Sequence, residues 1–276
     1  FDPPVIPAHL DALAHDTFHL PKLTAKDFSN NRRKVIIGMI DGQIIHYALG
    51  NWQPVEGWAF GISLQVDALS LFFALIVTVA VFISGIYSFT YMKHDDSLVN
   101  FYTLFLMLAG SVLGLVLTGD VFNMFVMIEI MTFAAVALTA FRTERMVSLE
   151  AGFKYLIVGS IGSSLTLAGI ALLYAQCHTL NMAQLSSILS TGLNPGTVMA
   201  FTLMFIGLGV KSYIVPFHAP AADAYTSAPT SISMVFSGMV NKAGVYGMIR
   251  LVYVIFQAMD LPAMQILLTM LGTITM

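Results

Sequence analysis

The sequence predicts an all-α polytopic membrane protein, a bundle of transmembrane helices. Of its 276 residues, 57% are hydrophobic and only 10% charged, and mean hydropathy is +0.82. A soluble domain carries about 25% charged residues. The apolar residues also gather in runs long enough to cross ~30 Å of hydrocarbon at ~1.5 Å per helical residue. Strands of a membrane barrel would alternate over ~10 residues, which these runs do not. Backbone groups in lipid need partners within their own segment, so the runs are helices.

Residues 1–34 are rich in Pro, Asp, His and Lys without periodicity and read as a polar tail or loop. His9, His15 and His19 lie there as solvated residues rather than metal ligands, since no cysteine or helical spacing supports them. A membrane domain follows over 35–276. Its first piece, "VIIGMIDGQIIHYALG" (35–50), is interrupted by Asp41 and His46 and reads as a short crossing or partly buried segment. Full crossings are expected at about 66–92, 97–119, 120–141 and 149–176. A further pair is expected at about 195–217 and 228–256, with an irregular stretch "APAADAYTSAPTS" between them. The last segment, 262–276, is shorter than the ~20 residues of a spanning helix. Together with a start at Phe1, it suggests part of a longer protein. No signal-peptide pattern is visible.

The net charge of −3 gives no reason to expect nucleic acid or an acidic partner. The single Cys177 excludes a disulfide framework and any cysteine-held metal or iron–sulfur centre within the chain, and reads as apolar filler. Basic residues set the orientation. Arg32, Arg33, Lys34, Lys93, Arg142 and Arg145 fall on one side if 35–50 crosses, and that side should be the cytoplasm. Arg250 is the exception.

Charges inside apolar helices are costly and therefore informative. Glu129 sits mid-helix in "FVMIEIMTF", where it must pair, hydrogen-bond or take up a proton. Lys211 is as deep in "GLGVKSYIVPFH"; burial favours its neutral form and a nearby carboxylate its charged form. Pro216 should break that helix by clashing with the Ser212 carbonyl, leaving polar backbone of the kind that borders ion paths. His218 follows, and imidazoles titrate near neutral pH. Lys242 is again mid-helix, beside Asn241 and among small residues. Lys154 lies one turn past Glu150, so a local salt bridge competes with relay membership. The set suits protons moving within a membrane.

The residues from "VKSYIVPFHAPAADAY" to "NKAGVYGMIRL" resemble the signature region of antiporter-like membrane subunits. That family includes the proton-pumping subunits of respiratory complex I, subunits of energy-converting hydrogenases and large subunits of Mrp-type Na+/H+ antiporters. "LTGDVFNMFVMIEIMTFAAVAL" is similar to its glutamate helix, and "VDALSLFF" and "YALGNW" to segments leading into an earlier helix. The resemblance implies that Glu129 pairs with Lys211 on a broken helix, with Lys242, His218 and Lys154 as further stations. It implies a fold of two inverted repeats, of which this chain would hold the first only in part. Where relatives often read L-P-D-A-H, this chain has "AADAY", so Tyr225 replaces a second histidine.

The expected function is translocation of protons, alone or exchanged for Na+, within a multisubunit membrane complex in a prokaryotic cell membrane. No cofactor and no catalytic site of its own are expected. The expected partners are other membrane subunits and the lipid bilayer. A quinone- or haem-binding redox subunit and a purely structural scaffold are the alternatives.

Overall fold

The computed structural model describes residues 44–49, 61–93, 95 and 97–275. The segment 1–34 with its three histidines, and residues 35–43, lie outside the described residues. Among those described, four helices are long and apolar enough to cross a membrane. They are α1 (Ala68–Tyr91), α2 (Leu98–Val116), α3 (Val121–Thr139) and α4 (Met146–Cys177). A short α5 (Met182–Leu189) precedes α6 (Pro195–Lys211), α7 (Ala219–Ser227), α8 (Thr230–Val235), α9 (Asn241–Ile249) and α10 (Pro262–Thr275). The wider turns Phe236–Val240 and Arg250–Ile255 are π-helical and join α8 and α9 into one rod over 230–255.

Side-chain caps start several helices. The Asp67 carboxylate accepts from the Ser70 amide while the Ser70 hydroxyl accepts from the Asp67 amide, closing a capping box on α1. Asp120 caps α3, Asn181 caps α5, and Asn194 with Thr197 boxes α6 behind Pro195.

Residues 45–48 do not belong to a crossing helix. They form strand β1 (Ile45–Ala48), antiparallel to β2 (Ser63–Val66). Backbone pairing extends outward, from the Gln65 amide to the Leu117 carbonyl and from the Gly119 amide to the Ser63 carbonyl. This cap therefore satisfies its polar backbone within itself and against the α2–α3 loop. It closes the end of the bundle where α1 and α3 begin. At the opposite end, Arg142 donates to the Tyr91 hydroxyl at 3.3 Å and lies over its ring, joining the ends of α1 and α3. Lys93, Arg142 and Arg145 lie at that end, the one for which the charge asymmetry predicts a cytoplasmic position. Phe72, Leu75, Phe82 and Phe89 on α1 are more than half exposed, as a lipid-facing surface requires.

Two other expectations change. The stretch expected to be irregular is helical as α7. The sixth helix also ends at Lys211, before Pro216 can kink it. The amides of Ser212, Tyr213 and Ile214 turn back onto the carbonyls of Leu208, Val210 and Gly209, and Tyr213 takes a left-handed backbone with φ of 54°. Pro216 lies in the exposed turn beyond, after a cis peptide bond.

Glycine sets the α4–α6 seam. A Cβ on Gly207 would strike the Thr166 hydroxyl, come 2.5 Å from the Gly162 carbonyl oxygen and 2.8 Å from the Thr166 amide. The backbone atoms cannot step aside as a side chain would. Gly207→Ala should therefore cost about 1–3 kcal/mol by overpacking. The measurement is the thermal unfolding midpoint of the purified protein, which should fall; an unchanged midpoint would show that the seam can open.

Candidate functional site

The deepest cation of the sequence set is Lys211, the last residue of α6. A cation there also complements the negative end of the helix dipole. Its side chain is 5% exposed. Nζ donates to the Thr132 hydroxyl at 2.7 Å, which itself donates to the Ile128 carbonyl. Nζ lies 4.0 Å from Glu129 Oε1, too far for a direct hydrogen bond and close enough for strong attraction. That Oε1 is buried with no hydrogen-bond partner, although the Glu129 side chain as a whole is 27% exposed. Lys211 thus holds a fixed hydroxyl on one side and an unshared carboxylate oxygen on the other.

Neighbouring backbones make room for this. A Cβ on Gly159 of α4 would meet Lys211 Nζ at 3.6 Å and Thr132 Cγ2 at 3.1 Å. A Cβ on Gly244 of α9 would meet the Ser212 amide at 2.7 Å. Glycines therefore let α4 and α9 close on the lysine and on the helix break.

The other sequence candidates are not brought to this pair. Lys154 forms an exposed triad, 2.8 Å from Glu150 and 3.2 Å from Asp223, that ties α4 to α7. Lys242 is exposed on the rod and donates to the Ser237 carbonyl at 2.7 Å across the π turn. His218 is exposed at the start of α7 without a side-chain cap bond, and Pro216 is exposed as well.

Two groups escaped sequence reasoning. Arg250, the exception to the charge asymmetry, is 2% exposed and bonds both carboxylate oxygens of Asp67, one at 2.8 Å. Its Nε donates to the Tyr246 hydroxyl, which donates to the Val116 carbonyl. One acid and one base on the side otherwise bare of Lys and Arg was the available signal. The second group surrounds Asn241, whose Nδ2 donates to the Tyr225 hydroxyl and whose Oδ1 is buried without a partner. Nothing in the spacing of Tyr155, Tyr213, Tyr225 and Asn241 announces that they meet.

Four spanning helices, a helix stopped mid-bundle and a buried lysine facing a carboxylate define a multi-pass integral membrane protein with an intramembrane charge pair. Residues 118–276 match the family described as NADH:quinone oxidoreductase/Mrp antiporter, transmembrane region, and the chain belongs to it. Residues 52–102 match the N-terminal family of NADH-ubiquinone oxidoreductase (complex I) chain 5.

NADH-quinone oxidoreductase subunit N of Desulforudis audaxviator is 32% identical over 225 residues, covering 80% of this chain and 43% of that protein. A Na(+)/H(+) antiporter subunit of Bacillus subtilis is 29% identical over 210 residues, covering 76% of this chain and 42% of that protein. A chain of the membrane-bound sulfane sulfur reductase, an archaeal respiratory membrane complex, superposes with a TM-score of 0.75 at 33% identity, over 82% of this chain and 45% of its own length. The chain thus spans less than half the length of these relatives.

Proposed function

We propose that this chain belongs to a multisubunit complex of a prokaryotic cell membrane and carries part of a path that moves protons across it, driven by a redox module or exchanged for Na+. The observation behind this is the Lys211–Glu129 pair. A salt bridge built for stability would satisfy its oxygens, whereas Glu129 Oε1 is buried and unshared 4.0 Å from the ammonium. At that distance two unit charges interact by ~4 kcal/mol at an effective dielectric of 20. A change of charge on one partner is therefore felt strongly by the other. Relatives act in NADH-quinone oxidoreductases and Na(+)/H(+) antiporters, which supports ion movement within a larger assembly. His218, Lys242 and Lys154 are the further stations of this reading, reached through intervening waters.

The test uses sealed vesicles holding the assembled complex. Glu129→Gln keeps the shape of the side chain and removes its charge. Assembly should persist while proton translocation falls about 100-fold or more, the lower end of what a positioned proton-transfer group contributes. Translocation at the native rate would overturn the proposal.

A further inference from the structure

Helix α3 offers Lys211 two acceptors on one face. Glu129 and Thr132 are three residues apart, a spacing that sets side chains next to each other on a helix surface. Lys211 Nζ takes the hydroxyl at 2.7 Å and stands off the carboxylate at 4.0 Å. That order is the reverse of what charge alone dictates. An ammonium and a carboxylate in contact bond at about 2.7–2.9 Å, more strongly than an ammonium and a neutral oxygen. Glu129 Oε1 is nevertheless buried with no hydrogen-bond partner, although a donor lies just beyond bonding distance. Native interiors leave few such atoms, and each calls for an explanation.

The explanation lies in how Thr132 is held. Its hydroxyl proton goes to the Ile128 carbonyl at 2.7 Å, one turn back, so toward Nζ the oxygen accepts. That bond also selects between the two side-chain rotamers threonine uses in a helix. Its methyl faces α4 where that helix carries a glycine. A Cβ on Gly159 would come 3.1 Å from Thr132 Cγ2 and 3.6 Å from Nζ. Thr132 is buried within α3 and Lys211 closes α6, so both ends of the 2.7 Å bond sit on helices.

A hydroxyl also treats the lysine differently from a carboxylate. A carboxylate in contact favours the charged ammonium alone. An uncharged oxygen accepts from an ammonium and from a neutral amine alike. A lysine bonded to Thr132 therefore keeps its place through a change of charge.

We propose that Thr132 is a positioning residue, a spacer that holds Lys211 off Glu129 and so keeps the pair free to exchange protons. The proposal rests on the reading of Glu129 and Lys211 given above. Thr132 itself takes no proton. Without its oxygen, Nζ closes on Glu129 Oε1, and the pair becomes an ordinary salt bridge that holds on to its charges.

Thr132→Val keeps the branched shape and removes the oxygen, whereas Thr132→Ser keeps the oxygen and removes the methyl. In vesicles holding the full complex, both variants should assemble as the native protein does. Translocation by the valine variant should fall about 100-fold, the effect of misplacing a reacting group by about 1 Å. The serine variant should retain most of the native rate. Infrared spectra supply a readout that a merely structural role would not move. The Glu129 carboxyl band, isolated by subtracting the spectrum of the matching Glu129→Gln protein, should shift in the valine variant as Oε1 gains a donor. Native-rate translocation by Thr132→Val would overturn the proposal, as would a serine variant as slow as the valine one. A slow valine variant with an unmoved carboxyl band would overturn it too. Glu129→Gln keeps the two readings distinct. If it blocks translocation while Thr132→Val does not, the charge pair stands and the spacer falls. Native translocation by Glu129→Gln removes the charge pair and the spacer with it.

Discussion

Replacing Lys211 by methionine should abolish proton translocation and leave the protein folded. Methionine matches much of the lysine stem and suits a 5% exposed site. Loss of the ammonium leaves few orphans. Thr132 still donates to the Ile128 carbonyl, and Glu129 is partly exposed. Removing one partner of a pair leaves the other charge uncompensated, but this pair is 4.0 Å apart and Glu129 is 27% exposed, so any fall in stability should be smaller than that of a closely bonded, fully buried pair. Translocation should fall to background because no other cation lies within reach of Glu129 Oε1 among the described ion pairs. The measurement is proton uptake into vesicles beside the thermal midpoint of the same preparation. A scaffold role predicts the reverse, a lower midpoint with translocation intact, and that outcome would remove Lys211 from the path.

The sequence carried the parts of this molecule that depend on local rules. Spans were legible because four apolar runs of at least nineteen residues leave no alternative in lipid. Their starts were legible in "VDALS" and "GDVFN", where an aspartate caps a helix. Glu129 and Lys211 stood out because a mid-span charge is expensive. What stayed hidden depends on distant pairing. Strand β1 is four residues long and pairs across a gap with β2, which is itself anchored to the α2–α3 loop. An apolar run of that length is ambiguous by itself. The break after Lys211 was assigned to Pro216 because proline is the visible breaker. The helix instead stops where three amides fold back on its last turn. Lys242 and Asn241 are neighbours in sequence, yet the lysine faces outward and the asparagine meets Tyr225. Mid-span position alone could not separate them, because adjacent helical residues point about 100° apart.

The second large effect concerns stability rather than ion movement. Arg250→Leu should lower the stability of the protein by about 3–5 kcal/mol, the cost of removing one partner of a buried pair. The guanidinium makes two parallel bonds to Asp67 and a third to Tyr246, so it ties the start of α1 to the end of the α8–α9 rod and, through Tyr246, to the end of α2. Arg250→Lys cannot reproduce the two-pronged geometry and should fall between native and leucine. Asp67→Asn combined with Arg250→Leu should regain part of the loss, since no charge is then left alone.

Acid supplies an independent check. Burial by itself would raise the Asp67 carboxyl, but bonds from Arg250 and from the Ser70 amide, with the arginine's charge, outweigh it and hold the group below its ordinary value. A depressed acid contributes stability that is complete above its unfolded pKa, about 3.9, and is lost as pH falls through the lower folded value. The gap in thermal midpoint between native protein and Arg250→Leu should therefore be widest at neutral pH, begin to close as pH falls through the value of the unpaired Asp67 in the variant, which burial raises, and vanish only below the depressed native value. A gap that does not change down to strong acid would assign the arginine's effect to packing against Tyr246, whose ring lies 5.1 Å beneath the guanidinium, rather than to the ion pair.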